Sequence, residues 1–144
     1  MDSRPILLVE DNPDDVELTL HALKANNIAN DVIVAKDGSE AFEIIFGDKR
    51  EESATHGLRP ALILLDLKLP GLSGFDILKR IREDALTKLI PVVILTSSRE
   101  HLDLMKAYQL GANSYVRKPV DFEQFLTAVQ QLGAYWLALN EPVT

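Results

Sequence analysis

The stretch LILLDLKLPGLSGFDIL, residues 62–78, decides the fold. Four apolar residues, 62–65, directly precede Asp66. Such a run is typical of a strand buried on both faces of a parallel sheet. Pro70 and Gly71 then form a turn signal, and after Gly74 apolar residues recur at helical spacing. The stretch therefore predicts a strand, a turn and a helix, with an acidic residue where the strand ends.

Four further apolar runs repeat this arrangement along the chain. The predicted strands are Ile6–Val9, Val32–Ala35, Ala61–Leu65, Val92–Leu95 and Ser114–Val116. Helical patterns follow them, beginning near Asn12, around Ala41, after Gly74, near Glu100 and near Asp121. Alternation of this kind predicts an α/β fold whose parallel sheet carries helices on both faces. The polar segment Gly47–Arg59 is interpreted as a long surface loop.

Length and composition restrict the class of protein. A chain of 144 residues suits one domain. The absence of cysteine excludes disulfides, zinc–thiolate sites and a cysteine nucleophile. No apolar run approaches the roughly 20 residues that span a bilayer, and the net charge of −7 argues against nonspecific binding to nucleic acid. We therefore expect a cytoplasmic protein that binds neither membranes nor nucleic acids.

The residues that follow the predicted strands carry the chemistry. Glu10 and Asp11 follow the first strand, Asp66 the third, Thr96 the fourth and Lys118 the fifth. Ligands of open α/β sheets bind beyond the carboxyl ends of the strands, so these side chains are expected to converge. Clustered carboxylates suit Mg²⁺, and an aspartate is a known nucleophile for phosphoryl groups. The convergence predicts phosphoryl transfer assisted by a divalent cation.

Taken singly, each of these residues has an ordinary explanation. An acidic pair after a strand is usually a solvated turn, a threonine is often a helix cap, and a lysine is usually on the surface. Placement at four strand ends of one sheet is improbable by chance. The joint pattern therefore favours a functional site.

The segments LLVEDNPDD, LILLDLKLPGLSGFDIL, PVVILTSS and ANSYVRKPVD resemble the receiver domain of two-component response regulators over nearly the whole chain. The resemblance implies a flavodoxin-like sheet in the order 2-1-3-4-5. It identifies Asp66 as the phosphoacceptor. It implies that the residues holding Mg²⁺, with Mn²⁺ as an alternative, are Glu10, Asp11, Asp66 and the backbone carbonyl of Lys68.

The same resemblance assigns the remaining site residues. Thr96 and Lys118 contact the phosphoryl group, and Thr96 and Tyr115 form the switch. The peptide between Lys118 and Pro119 is implied to be cis. After phosphorylation, the surface of the fourth helix, fifth strand and fifth helix is expected to change.

The C-terminal sequence AYWLALNEPVT, together with the long Gly47–Arg59 loop, resembles the small response regulators that partner bacterial and cyanobacterial phytochromes. This implies a phytochrome histidine kinase as phosphodonor and a homodimer. Residues 136–144 are expected to extend the last helix. The predicted interface residues are Phe122, Tyr135, Trp136, Leu137 and Leu139. Output is expected through protein contact or through onward transfer to a histidine phosphotransfer protein, and no effector domain is expected after the last helix.

Two alternatives remain open on the sequence. A phosphatase of the haloacid-dehalogenase type also uses an aspartate nucleophile and Mg²⁺, but usually has a second aspartate two residues later, where this chain has Lys68. A receiver fold that no longer accepts phosphate is the other alternative. We expect no classical enzyme activity beyond the protein's own phosphorylation and dephosphorylation.

Overall fold

The computed structural model describes residues 4–47, 59–118 and 121–142. Nearly all of the predicted Gly47–Arg59 loop lies outside these ranges. The strands are β1 (Ile6–Val9), β2 (Val32–Ala35), β3 (Leu62–Leu65), β4 (Val92–Thr96) and β5 (Ser114–Arg117). The helices are α1 (Pro13–Ala25), α2 (Gly38–Phe46), α3 (Gly74–Glu83), α4 (His101–Gln109) and α5 (Phe122–Gly133). Within the described ranges, none of the helices is long and apolar enough to cross a membrane.

The five strands form one parallel sheet in the order β2-β1-β3-β4-β5. This confirms the predicted α/β architecture and strand order. The chain winds outward from β1 in one direction, then returns and winds through β3, β4 and β5. The carboxyl ends of β1 and β3 are therefore neighbours at the point where the winding reverses, which is where α/β sheets bind ligands.

Side chains alternate between two apolar layers, as the period of a strand requires. One layer joins Leu7, Val9, Ile63, Leu65, Val92 and Ile94 of the sheet to α2, α3 and α4. The other joins Ile6, Leu8, Leu62, Leu64, Val93 and Leu95 to α1 and α5. Strands β1, β3 and β4 are buried on both faces, and their sequences are accordingly apolar throughout, except for Thr96 at the end of β4.

Polar caps fix where the helices on either side of the site begin. Asn12 accepts hydrogen bonds from the amides of Asp14 and Asp15, and Pro13 occupies the first turn of α1. Ser73 and Asp76 cap the start of α3 reciprocally. These caps place both helix starts next to the strand ends that carry the acidic residues.

The last helix changes its winding instead of simply continuing. After α5, residues Ala134–Leu139 form a π-helical segment, and the amide of Asn140 donates to the carbonyl of Tyr135 five residues earlier. Helical winding ends at Leu139. It thus covers only the first part of the extension predicted for residues 136–144, of which 143 and 144 lie outside the described residues.

Gly74 allows α3 to begin against the end of β3. A Cβ atom at this position would lie 2.2 Å from the carbonyl oxygen of Asp66 and 2.8 Å from Cα of Leu67. Both contacts are to backbone, which has little freedom to move. The close approach therefore requires glycine and fixes the backbone that carries Asp66.

We predict that Gly74→Ala lowers the free energy of unfolding by about 3 kcal/mol, the upper end of the usual cost of overpacking. Gly71→Ala is the matched control, because Gly71 has a φ of 74° and open space around it. Its cost should be about 1 kcal/mol, the strain of a left-handed backbone alone. Urea denaturation followed by circular dichroism measures both values, and equal losses would contradict the backbone clash at Gly74.

Candidate functional site

Three of the predicted site residues stand one position beyond their strands, and each is still held by a hydrogen bond of the sheet. The amide of Glu10 donates to Ala35 at 3.0 Å, and that of Asp66 donates to Val9 at 3.1 Å. The amide of Lys118 donates to the carbonyl of Thr96 at 2.7 Å. The sheet therefore fixes the backbone from which these three side chains extend.

The alternation of the strands brings these side chains together. Two residues before each of these side chains lies an apolar residue that packs in the layer of α1 and α5, namely Leu8 before Glu10, Leu64 before Asp66 and Val116 before Lys118. Continuing a period of two directs the three functional side chains toward that same layer. The carboxylates and the ammonium group consequently meet beside the N-terminus of α1.

Lys118 is the centre of the site. Its ammonium group donates to Glu10, to Asp15 at 3.0 Å and to Asp66 at 3.3 Å. Glu10 and Asp66 are buried, with 3% and 9% of their side chains exposed, whereas the Asp15 side chain is 34% exposed. One cation is thus shared by two buried carboxylates and a third at the rim of the site.

Three carboxylates form a group that suits a hard cation. Ligand oxygens of Glu10, Asp11 and Asp66 all lie within 4.8 Å of one another. Asp11 is exposed, which leaves one side of the group open to water. Oxygen donors with room for water are the coordination that Mg²⁺ prefers, so the residues fit such an ion.

Lys68 lies beside this group. Its amide donates to a carboxylate oxygen of Asp66 at 3.3 Å, and its side chain is exposed. The amide helps to fix the rotamer of Asp66. The predicted role of its carbonyl as a metal ligand stays a prediction.

Burial and neighbouring charges act in opposite directions on the pKa values of the two central groups, Glu10 and Lys118. Burial raises the pKa of the Glu10 carboxyl to about 7, the hydrogen bond from Lys118 opposes the rise, and the charge of Asp66 adds to it. For Lys118, burial acts to lower the pKa, but the hydrogen bond to Glu10 and the charge of Asp66 outweigh it and raise the pKa. Lys118 therefore remains a cation, whereas burial, with a smaller effect from the charge of Asp66, favours the protonated form of Glu10.

The predicted switch residues occupy the opposite face of the sheet. Tyr115 pairs with Ile94 on the neighbouring strand, and both belong to the layer of α2, α3 and α4. Thr96 is fully buried, and the Tyr115 hydroxyl makes a long hydrogen bond of 3.5 Å to the carbonyl of Ser98. The Ser98 hydroxyl in turn donates to Asp103 on α4 at 2.6 Å. Tyr115 is therefore linked to the loop that follows Thr96 and to the first turn of α4.

Comparison with known families matches residues 6–130 to the response regulator receiver domain. The chain belongs to this family. It is accordingly a receiver of two-component signalling, and its relatives include response regulators associated with phytochromes.

Three relatives place the receiver within its family. Response regulator Rcp1 of Synechocystis is 36% identical over 92% of this chain and 88% of its own length. The crystal structure of the phosphorylated cyanobacterial phytochrome response regulator RcpA has a TM-score of 0.88 at 33% identity, covering 99% of this chain and 100% of that one. The bacteriophytochrome response regulator AtBRR is 49% identical, with a TM-score of 0.74, over 98% and 100% of the two chains.

The C-terminal residues of the receiver do not share one environment. Tyr135 and Leu139 are exposed at 51% and 72%, and Trp136 is half-buried against the core. Leu137 is only 2% exposed, because it lies in the apolar layer of α1 and α5. Leu137 is therefore part of the core, and the prediction that it is an interface residue is wrong.

Two other predictions fall on a side chain and a peptide bond that the structure does not describe. Phe122 begins α5, but its side chain is not described. The peptide between Lys118 and Pro119, predicted to be cis, also lies outside the described ranges.

The sequence interpretation missed two features of the receiver. Asp15 contacts Lys118, but it lies inside a helix and not at a strand end. The exposed face of α4 carries Leu102, Met105 and Tyr108, which are 76%, 44% and 49% exposed. These three residues are three positions apart, and this spacing in the sequence indicated that they share one face of the helix. Their exposure depends on packing, which the sequence does not state.

We predict that Glu10→Gln stabilises the receiver at pH 8 in metal-free buffer. A carboxyl whose pKa rises from 4.5 to about 7 on folding costs stability as the pH increases through that window, and the loss is complete above pH 7. Glutamine cannot ionise, so the gain should approach about 3 kcal/mol at about 1.4 kcal/mol per pKa unit and should vanish below pH 4.5. Chemical denaturation at both pH values measures the gain, and a variant less stable than the wild type at pH 8 would contradict it.

Proposed function

We propose that this receiver accepts a phosphoryl group on Asp66 from a sensor histidine kinase. The observation that carries the proposal is the position of the Asp66 carboxylate, which lies within 3.3 Å of the Lys118 ammonium and within 4.8 Å of the oxygens of Glu10 and Asp11. The described residues fold around a single sheet, which supports one receiver domain.

The residues suit transfer from a phosphohistidine. A carboxylate oxygen of Asp66 attacks phosphorus, the bond from phosphorus to the histidine nitrogen breaks, and its electron pair stays on that nitrogen. A divalent cation held by Glu10, Asp11 and Asp66, with the carbonyl of Lys68 as a further ligand, would neutralise charge on the phosphoryl oxygens. Lys118 donates to the transferred group from its place beside Asp66. Mg²⁺ is our proposal, and the Mn²⁺-bound crystal structure of Rcp1 supports a divalent ion.

The energetics of the switch depend mainly on Thr96. Lys118 already contacts Asp66 before phosphorylation, so much of its hydrogen bonding is not new. A new hydrogen bond from Thr96 to the phosphoryl group contributes roughly 1.5–3 kcal/mol, a shift of roughly 10- to 150-fold. A full reversal of populations requires about 10⁴-fold. This one hydrogen bond therefore supplies only part of the free energy that a complete switch through Tyr115 requires.

We further propose a phytochrome histidine kinase as the phosphodonor. The support is the similarity to RcpA and AtBRR over almost the whole of both chains. The signal then leaves through contacts of α4, β5 and α5 or by transfer to a histidine phosphotransfer protein. The exposed apolar side chains of α4 lie on this proposed output surface.

The C-terminal surface supports a homodimer. Tyr135 and Trp136 line a groove of about 450 Å³ together with residues of β5 and α5. Because β5 is the last strand of the sheet, this groove lies at its open edge. Leu139, four residues after Tyr135 in the same helical segment, is also exposed. A second copy of this chain would cover the groove and Leu139.

We predict that acetyl phosphate with Mg²⁺ produces a shifted band on a Phos-tag gel for the wild type and no shifted band for Asp66→Asn. The amide of asparagine is not a nucleophile for phosphorus, while its size preserves the packing. EDTA should abolish the shift in the wild type, because the carboxylate group then lacks its cation.

Two outcomes would contradict this proposal. A band that survives Asp66→Asn would place the phosphoryl group elsewhere, and the absence of a band in the wild type would favour a receiver fold without phosphorylation. Steady release of phosphate from several monoesters would instead favour the phosphatase alternative.

We predict that Leu139→Glu converts the dimer to a monomer, measured as mass by light scattering during size-exclusion chromatography. The side chain is 72% exposed, so the substitution places a charge in the proposed interface without disturbing the core. Leu89→Glu is the matched control, because Leu89 is 63% exposed in the connection between α3 and β4. A dimer that tolerates Leu139→Glu, or dissociates equally with both variants, would contradict the proposed interface.

A further inference from the structure

The ammonium group of Lys118 has as many donors as it has acidic neighbours. Its three N–H bonds are directed to Glu10, Asp15 and Asp66. The contacts to Asp15 and Asp66 measure 3.0 Å and 3.3 Å and exist at the same time. Asp15 therefore does not draw Lys118 away from Asp66. Lys118 donates to Asp15 and to Asp66 together.

Asp15 differs from the other two acids in its relation to the cation site. Glu10 and Asp66 belong to the group of carboxylates whose oxygens lie within 4.8 Å of one another, and Asp15 does not. Under the proposed function, Glu10 turns to a divalent cation and Asp66 becomes an acyl phosphate. Both then lose capacity as partners of Lys118. Of the three, Asp15 alone would keep a carboxylate that is bound neither to the cation nor to the phosphoryl group.

The first turn of α1 holds Asp15 in this position. Its amide donates to the side chain of the capping residue Asn12 at 3.3 Å. Its carbonyl accepts a hydrogen bond of 2.8 Å from the hydroxyl of Thr19, which is buried. These bonds use only the backbone of Asp15, so its carboxylate is presented to Lys118 from a fixed point.

We propose that Asp15 is a positioning residue for phosphorylation of Asp66, acting through Lys118. It anchors the ammonium group so that one N–H bond points at the phosphoryl oxygens throughout the transfer. Without this anchor, the long lysine side chain samples more rotamers and donates less often to the phosphoryl group. The inference rests on the proposed function and adds to it a residue of α1.

Asp15→Ala should slow phosphorylation by acetyl phosphate roughly tenfold, the scale of one charge-assisted hydrogen bond. Asp15→Asn should lie between this variant and the wild type, since its amide oxygen still accepts from Lys118 without a charge. Asp14→Ala is the matched control, because Asp14 is an exposed acid in the same turn of α1 and its amide also donates to Asn12. Rates are read from Phos-tag gels over time at saturating Mg²⁺.

A double-mutant cycle tests whether Asp15 acts through Lys118. In a Lys118→Ala background, Asp15→Ala should have no further effect on the rate. An effect of full size in that background would overturn the proposal. So would a faster rate in Asp15→Ala, which would make Asp15 a competitor for Lys118, or a rate equal to that of Asp14→Ala.

A measurement without phosphorylation separates this inference from the proposed function. The ¹⁵N-labelled ammonium of Lys118 should give an NMR signal in the unphosphorylated wild type that broadens in Asp15→Ala but not in Asp14→Ala, because its hydrogens then exchange faster with water. If the Lys118 signal broadens as expected but neither the wild type nor the variants are phosphorylated, the proposed function fails while the contact between Asp15 and Lys118 is supported. If the wild type is phosphorylated and the signal is unchanged in Asp15→Ala, the inference alone fails.

Discussion

The site of this receiver depends on one ammonium group, that of Lys118, which offsets the negative charge of the carboxylates around it. Lys118 lies between two buried carboxylates and a third at the rim, and it donates to all of them. Carboxylates this close repel one another, most strongly where they are buried, and the ammonium group between them offsets that repulsion. Burial is the main reason that the pKa of Glu10 is raised, and the charge of Asp66 adds to it, while the hydrogen bond from Lys118 opposes the rise. The three carboxylates around Lys118 also carry more negative charge than one ammonium group can balance. The remaining negative charge is what makes the site suitable for a divalent cation.

The parallel sheet assembles these charges, and its alternation separates them from the switch. Glu10, Asp66 and Lys118 continue the face packed on α1 and α5, whereas Tyr115 belongs to the face packed on α2, α3 and α4. A backbone hydrogen bond from Lys118 to the carbonyl of Thr96 joins the strand end that carries the lysine to the strand end that carries the threonine. A change in the charge of Asp66 is therefore adjacent to the switch residues without sharing their apolar layer.

The C-terminal segment shows how helical winding decides which residues face the core. Phe125, Val129, Gly133 and Leu137 are all buried, at a constant spacing of four residues. An α-helix of 3.6 residues per turn would rotate such a stripe away from the core, and the wider π-helical turns after Gly133 bring Leu137 back to it. Tyr135 and Leu139 are left outside, on the surface proposed for dimerisation.

The sequence by itself determined the architecture and most of the site residues. Continuous apolar runs are required of strands buried on both faces, and the residue that follows such a run must lie at the edge of the sheet. For this reason Glu10 and Asp66 were identifiable before the structure, and Lys118 was identified with them because it follows the last predicted strand, although their roles in phosphorylation remain to be tested. Only the tertiary structure brought Asp15 to Lys118, because that contact joins a helix to a strand end more than one hundred residues later. Only the structure buried Leu137, because the winding of a helix end depends on what it packs against. Local patterns fix which residues end a strand, whereas contacts between distant elements are decided when the layers pack.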